Sequence, residues 1–268
     1  MSRSHVRLGL FVEGAPPSDL TGSRRLTELW LALLRRVTQT PAIPDGRVNV
    51  FGFSKGQITV RSPDYPPDAI RSSADPIDVL IQRMVQRESL SHVVIAFDAR
   101  PSNQFLGEAC MRAEVNVVLQ ALADQVELAD TFRNAARDLL GWYAQTSKPS
   151  PRGIGHPPRN AVDVIFMRPE FESMFVHDDS ALRQAFGVSR KPRDWPSMRG
   201  PKAKDALQKA LDSLPADVWK PLPAKAGGGK FLSNPHGWGR LIVEQAPDRM
   251  FLHEIPARLR QIVLDLIV

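Results

Sequence analysis

Acidic residues stand at or just after the ends of three apolar runs in this sequence. Glu13 ends the first run, Asp98 ends another, and Glu172 follows a third within a few residues. Carboxylate oxygens are the ligands that hard Mg²⁺ prefers, and a carboxylate whose pKa is raised by its neighbours can also move a proton. A metal ion held there would bridge a phosphate and stabilise negative charge as a phosphodiester bond breaks. These residue types predict a metal-assisted hydrolytic site, provided that the fold brings them together.

Each of these acidic residues also has a plainer interpretation. Asp98 would cap a turn or pair with Arg100, as isolated aspartates at strand ends commonly do. Helix capping is expected for at least one of Asp178 and Asp179, which stand before a predicted helix. Glu172, on the face of a short helix, is harder to explain in that way. The functional interpretation of Asp98 is favoured because Glu13 stands at the end of another predicted strand in the same way.

Apolar runs that predict strands position the acidic residues. The first run, over residues 6–14, is apolar enough to fill the middle of a parallel sheet that is covered on both faces. In open α/β sheets the carboxyl ends of the strands face the crevice where ligands bind, so Glu13 and Asp98 are expected at one edge. The other predicted strands cover residues 47–53, 54–60 as its hairpin partner, 92–97 and 161–167.

Apolar residues at helical spacing predict helices that pack onto the sheet. A helix capped by Ser23 follows the first strand, and Asp75-Pro76 supplies the N-cap and first turn of another. Residues 106–123 and 127–144 are predicted to form a helical hairpin. The later predicted helices lie between Asp178 or Asp179 and Gly187, over residues 237–246, and over residues 255–268.

The composition is typical of a globular chain. Its 268 residues are 43% hydrophobic, which allows a sizeable core. Cys110 is the single cysteine, so an internal disulfide and a cysteine-based zinc site are excluded. The sequence shows no secretory segment and no apolar run long enough to cross a bilayer. We therefore expect a soluble, cytoplasmic protein.

The positive charge is concentrated in one block of the sequence. Lys+Arg and Asp+Glu balance at 21 each over residues 1–189, whereas residues 190–240 hold 11 basic and 4 acidic residues. Such a block suits nucleic acid, although a solvated surface explains it equally well from charge alone. Trp195 would stack on a base or pack under the proline-rich loop around it. The residues predicted to contact phosphates are Arg100, Arg190, Lys191, Arg193, Arg199, Lys202, Lys204 and Lys230.

A glycine-rich segment within this block, residues 224–231, has the sequence AKAGGGKF. It is not a Walker A phosphate loop, because Phe231 stands where that motif requires Ser or Thr and no strand precedes it. We interpret it as a flexible basic loop that could close over a nucleic acid or a protein partner.

Four short motifs stand in order along the chain: VEG at residues 12–14, VVIAFD at 93–98, ESMFVHD at 172–178 and MRGPK at 198–202. In these motifs the sequence resembles the Toprim-like proteins, and within them bacterial relatives of the OLD nucleases that are often encoded beside ATPases of the SMC/ABC type. These short motifs follow the family's order along most of the chain. Lys202 carries the most specific support among the basic residues.

The resemblance implies a mostly parallel sheet flanked by helices, with Mg²⁺ or Mn²⁺ bound by an acidic cluster. Glu13 corresponds to the glutamate of the first motif, Asp98 to the first aspartate of the D-x-D motif, and Glu172 or Asp178 to a later acidic position. Arg100 replaces the second aspartate, which removes an oxygen ligand and adds a cation. The expected organisation is an α/β domain over residues 1–189, with the helical hairpin inserted at about 106–146, and a basic, mainly helical extension over residues 190–268.

Three functions are compatible with these features. The first is a metal-dependent nuclease with Glu13 and Asp98 as catalytic residues, or a nuclease-like subunit of an antiviral defence complex, a role that follows only from the family's usual gene neighbours. The second is a degenerate, non-catalytic module that binds nucleic acid or an ATPase partner. The third is a small-molecule phosphohydrolase. The apolar tail also suggests oligomerisation, with packing within the chain as the default.

Overall fold

The structure is a computed structural model that describes residues 6–14, 20–40, 43–44, 46–59, 75–98, 107–145, 160–167, 170–197 and 202–267. Four strands form one parallel sheet in the order β2-β1-β3-β4, flanked by helices. This sheet confirms the predicted α/β class. The strands are β1 (Leu8–Glu13), β2 (Val48–Phe53), β3 (His92–Asp98) and β4 (Val162–Met167).

Twelve α-helices and two short 3-10 helices are present in the described ranges, and none of these helices is long and apolar enough to span a membrane. The earlier helices are α1 (Leu20–Thr38), α2 (Lys55–Thr59), α3 (Ile77–Glu88), α4 (Gly107–Asp124), α5 (Asp130–Gln145), α6 (Ser173–Val176) and α7 (Asp179–Ala185). The later ones are α8 (Ala203–Asp212), α9 (Ala216–Trp219), α10 (Leu222–Lys225), α11 (Pro235–Gln245) and α12 (Glu254–Ile267), with 3-10 helices at Phe231–Ser233 and Asp248–Leu252.

The central position of β1 follows from its composition. Leu8, Leu10, Phe11 and Val12 are all buried, as expected for a strand covered on both faces. β1 pairs in parallel with both β2 and β3, so that Leu8 lies opposite a residue of each neighbour.

The chain divides into two compact units. The first comprises residues 1–17, 46–96 and 100–164, and in it α4 packs against α5 as the predicted helical hairpin. The second comprises residues 18–45, 97–99 and 165–268, and in it α1 packs against α11 and α12. Of the predicted extension, residues 190–197 form no helix, whereas residues 202–267 contain helices α8 to α12 and both 3-10 helices.

Three local predictions differ from the structure. The segment after β2 is a helix, not a hairpin strand, because Gln57 Oε1 accepts a hydrogen bond from the Ser54 N–H (2.9 Å), which is half of a capping box. α1 begins at Leu20, so Ser23 lies inside the helix. α3 begins after Pro76 without a side-chain cap, and Asp75 instead pairs with Arg83 at 2.7 Å.

Candidate functional site

Glu13 is the last residue of β1 and is half-buried. The ladder with β2 continues one step beyond it, because the Gly14 N–H donates to the Phe53 carbonyl oxygen at 3.0 Å. Gly14 has φ of +129°, a conformation that residues with a Cβ rarely adopt, so the chain leaves the sheet at this glycine. The predicted catalytic glutamate therefore lies where the sequence placed it, at a strand end before a glycine turn.

Asp98 ends β3 and is half-buried. Its Oδ1 accepts a hydrogen bond from the Phe171 N–H at 3.0 Å. Phe171 belongs to a turn that is closed by the Ser173 N–H donating to the Glu170 carbonyl oxygen at 3.0 Å. Asp98 therefore caps a turn, although one that is far away in sequence, and its predicted pairing with Arg100 lies outside the described residues.

Asp178 is the N-cap of α7, which confirms the capping interpretation. Its Oδ1 accepts from the Ala181 N–H and the Ser180 hydroxyl, both at 2.9 Å, and its Oδ2 accepts from Arg249 Nε at 3.0 Å. Although burial raises the pKa of Asp178, the hydrogen bonds and the Arg249 charge hold that pKa below its usual range. Both carboxylate oxygens are therefore already engaged by protein donors.

Glu172 and Glu170 are both buried near the start of α6. The Glu172 carbonyl oxygen accepts from the Phe175 N–H at 3.0 Å, which places Glu172 at the helix N-cap position. Glu170 Oε1 accepts from the Lys204 backbone N–H at 2.7 Å, in the first turn of α8. A carboxylate at a helix N-terminus is favourable because the free N–H groups and the helix dipole attract it.

A Mg²⁺ site requires several oxygen ligands close together, and the described side chains meet this requirement only in part. Mg²⁺ takes several oxygen ligands in near-octahedral geometry. Over the ranges that the structure describes, no three His, Cys, Asp or Glu side chains lie close enough to hold a metal ion. Asp178 does not fit as a ligand in this arrangement, since binding would break its cap and its Arg249 pair. Glu13, Asp98 and Glu172 stay as predicted ligands.

The residues predicted to contact phosphates differ in their exposure and in whether an acidic side chain lies near their charge. Lys191 Nζ lies 3.9 Å from Asp179, and Lys202 Nζ lies 3.9 Å from Asp205, with 57% and 79% of the lysine side chains exposed. Lys204 is half-buried. The remaining members of the set are exposed Arg190, Arg193 and Lys230, together with Arg100 and Arg199, which lie outside the described residues.

One tryptophan of the basic block, Trp195, is part of a core. Trp195 is only 6% exposed, so it cannot stack on a base, and the interpretation as a packed side chain is confirmed. Three exposed lysines, Lys209, Lys220 and Lys225, were missed by the sequence interpretation. The pattern that could have revealed Lys220 and Lys225 is the run of residues 218–243, which contains no Asp or Glu.

The triglycine loop, residues 227–229, is more firmly held than a flexible loop. All three glycines have positive φ, and every carbonyl from residue 225 to residue 230 accepts a side-chain hydrogen bond. Asn234 donates to the carbonyls of Ala226 (2.7 Å) and Gly228 (3.3 Å), Arg25 donates to that of Gly227 (3.1 Å), and Trp238 donates to that of Gly229 (3.1 Å). At the two ends of the loop, Arg240 donates to the Lys225 carbonyl (3.4 Å) and Ser233 donates to the Lys230 carbonyl (2.8 Å).

Two histidines form a pair beside the start of α12. The ring centroids of His177 and His253 are 4.9 Å apart, and His253 Nδ1 accepts from the Ile255 N–H at 3.3 Å. Burial, with a smaller contribution from His177, lowers the pKa of His253 to about 4. His253 is therefore neutral near pH 7.

The chain was also compared with known proteins. It matches no protein-family model, no curated protein and no solved structure.

Proposed function

We propose that this protein is a nucleic-acid-binding module on a Toprim-like α/β scaffold. The observation that carries the proposal is the excess of seven positive charges over residues 190–240, a segment that contains 11 basic and 4 acidic residues. Every described lysine of this block except Lys204 is exposed. Basic side chains bind the phosphate backbone by neutralising it and releasing counterions, which makes the affinity fall with salt.

Binding is favoured over hydrolysis by what the predicted carboxylates do in the structure. Asp98 accepts a hydrogen bond from the Phe171 N–H, whereas Asp178 caps α7 and pairs with Arg249. A catalytic metal site needs carboxylate oxygens that can face the ion and its bound water. Of the two residues predicted for the later acidic position, Asp178 is therefore better explained by structure than by catalysis, whereas Glu172 stays a candidate ligand.

Metal-dependent phosphodiester hydrolysis is the second candidate function. It is supported by the positions of Glu13 and Asp98 at the carboxyl ends of β1 and β3, the ends at which α/β sheets bind ligands. An ATPase partner of the SMC/ABC type and a role in antiviral defence follow only from the sequence resemblance.

One experiment separates the two functions. Binding of a fluorescein-labelled duplex is measured by anisotropy over a salt series, with EDTA and with Mg²⁺ or Mn²⁺, alongside cleavage of plasmid DNA and structured RNA. The variants are Glu13→Gln, Asp98→Asn and the control Glu127→Gln, which changes an exposed carboxylate outside the predicted site. The binding module predicts salt-sensitive binding that is indifferent to EDTA and to all three variants.

Cleavage that requires the metal and is lost in Glu13→Gln, but kept in Glu127→Gln, would instead establish the nuclease. Absence of binding to both nucleic acids at low salt would overturn the proposal of a nucleic-acid-binding module.

A further inference from the structure

Three exposed lysines lie close together in the sequence within the acid-free run 218–243. Lys220 follows α9, Lys225 ends α10 and Lys230 precedes the 3-10 helix at Phe231–Ser233. Within the described chain none of the three forms an ion pair. Their charges are thus available to a ligand, in contrast to the charges of Lys191 and Lys202, which have aspartate partners.

The short helices limit how far the backbone can move between these lysines. The Lys225 N–H donates to the Pro221 carbonyl oxygen at 3.3 Å, which closes a helical turn immediately after Lys220. Beyond Lys225 the triglycine loop is fastened by the side-chain donors described above, including Asn234 and Trp238. A fixed backbone reduces the ordering entropy that binding would otherwise cost.

These side-chain hydrogen bonds also determine which backbone groups of the triglycine loop are available to bind a ligand. The loop carbonyls are occupied by side-chain donors, whereas the N–H groups of Gly229 and Lys230 donate to no group in the described residues. Both residues are exposed. Backbone N–H groups beside a lysine are suitable donors to phosphate oxygens.

The aromatic side chains of this region are engaged within the chain. Trp219, which is half-buried, is stacked on Trp238, with ring centroids 5.2 Å apart and an interplanar angle of 16°, and Trp195 is buried. Single-stranded nucleic acid is usually held by base stacking on exposed aromatic rings. The features of this region therefore suit the phosphate backbone and not the bases.

We propose that the lysine triad Lys220, Lys225 and Lys230, with the N–H groups of Gly229 and Lys230, is the surface that contacts the phosphodiester backbone of a nucleic acid. This inference rests on the proposed function and specifies where that function resides. The triad, and not the sequence-predicted Lys191 and Lys202, carries the direct phosphate contacts.

The test compares two variants of the full chain that lose the same charge. The triad variant is Lys220→Gln/Lys225→Gln/Lys230→Gln, and the matched variant is Lys191→Gln/Lys202→Gln/Lys209→Gln, all at exposed positions. The affinity for a labelled duplex is measured by anisotropy over a salt series, and thermal unfolding by circular dichroism verifies that both variants fold.

Loss of three direct contacts is expected to reduce the slope of log K against log salt by about 2.7. We expect the triad variant to bind at least tenfold more weakly, and the matched variant to change the slope by less than about 1. Equal losses in the two variants would overturn the inference while leaving nucleic-acid binding intact. A wild-type chain that binds no duplex would overturn the proposed function itself.

Two further arms test the nature of the ligand. ATP supplied at the same phosphate concentration as the duplex is expected not to displace it, and displacement would show that an isolated phosphate cluster is the ligand. A single strand of equal length is expected to bind no more tightly than the duplex. Binding of that strand more than tenfold more tightly would show base stacking and overturn the inference.

Discussion

Oδ1 of Asp98 accepts a hydrogen bond from the backbone N–H of Phe171, 73 residues later in the chain, at 3.0 Å. The Phe171 ring in turn contacts Trp30 and Phe175, with ring centroids 5.2 and 5.5 Å apart. Asp98 therefore fixes the turn that brings an aromatic cluster together in the second unit. Asp98 lies where the sequence predicts a catalytic residue, yet its carboxylate has a structural partner in Phe171. The contribution of this hydrogen bond to stability can be measured.

We expect Asp98→Asn to preserve stability and Asp98→Ala to reduce it. Asparagine retains an oxygen that accepts the Phe171 N–H, whereas alanine leaves that donor without its acceptor, at a cost of about 1–3 kcal/mol. Urea unfolding monitored by tryptophan fluorescence gives the difference. If the two variants are equally stable, this hydrogen bond does not support the turn.

Asn234 has two separable roles in the triglycine loop. Its Oδ1 accepts from the Gly237 N–H at 3.1 Å as the N-cap of α11, and its Nδ2 donates to the carbonyl oxygens of Ala226 and Gly228. Asn234→Asp keeps the cap and loses the donor, so it is expected to lower stability, and Asn234→Ala is expected to lower it further, by about 1 kcal/mol. Thermal unfolding midpoints would show this order, and an aspartate variant as stable as wild type would contradict the role of the donor.

Gly237 lies at a position where a side chain cannot fit. A Cβ there would lie 2.0 Å from the Ala226 carbonyl oxygen and 2.5 Å from Asn234 Nδ2. We expect Gly237→Ala to destabilise the protein by at least about 2 kcal/mol, because backbone must move to admit the methyl group.

Gly141 provides the matched control for that substitution. It lies in α5 and is exposed, and a methyl group added there would meet nothing within 4 Å, so Gly141→Ala should stabilise by about 0.4–1 kcal/mol. Chemical denaturation of both variants tests the pair, and a tolerated alanine at Gly237 would show that the α10–α11 connection is not closely packed.

Stability is expected to fall with acid through His253. Its pKa is about 4 in the folded protein and about 6.5 in an unfolded chain, so the unfolded chain binds more protons between these values. The stabilisation is complete above about pH 6.5 and is lost as the pH falls toward about 4. His253→Asn, which can still accept the Ile255 N–H but cannot titrate, should flatten this part of the profile.

The measurement is the free energy of unfolding by urea at intervals from pH 7 to pH 4. His177→Gln serves as the comparison, because it removes the smaller, electrostatic contribution and leaves the burial of His253 in place. A profile for His253→Asn as steep as that of the wild type would exclude His253 as the source.

The parts of the fold that the sequence predicted well depend on local pattern. The buried strand β1 and the hairpin of α4 and α5 were predicted from apolar runs and helical spacing, and the structure has them within a few residues. The prediction for the segment after β2 was wrong because Ile58 and Val60 are β-formers, whereas the Ser54–Gln57 cap favours a helix. An S-x-x-Q pattern was the available indication.

The candidate site was harder to predict, because the partners of its side chains come from distant segments. Nothing near Asp178 in the sequence indicates Arg249, 71 residues later, which takes up one carboxylate oxygen. Nothing near Glu170 indicates that α8 begins against it. Charge, by contrast, is local information, and the acid-free run that contains Lys220 and Lys225 could have been read directly.

The packing of α1 against α11 and α12 has a consequence for synthesis on the ribosome. α1 carries a face of Leu26, Leu29, Trp30 and Leu33 that is buried in the second unit, yet helices over 200 residues later in the chain supply much of that burial. The nascent chain must therefore carry part of this apolar face exposed until residues 235–267 emerge. Slow translation of the intervening segment would prolong that exposure, and a chaperone that binds leucine-rich helices would meet its substrate early.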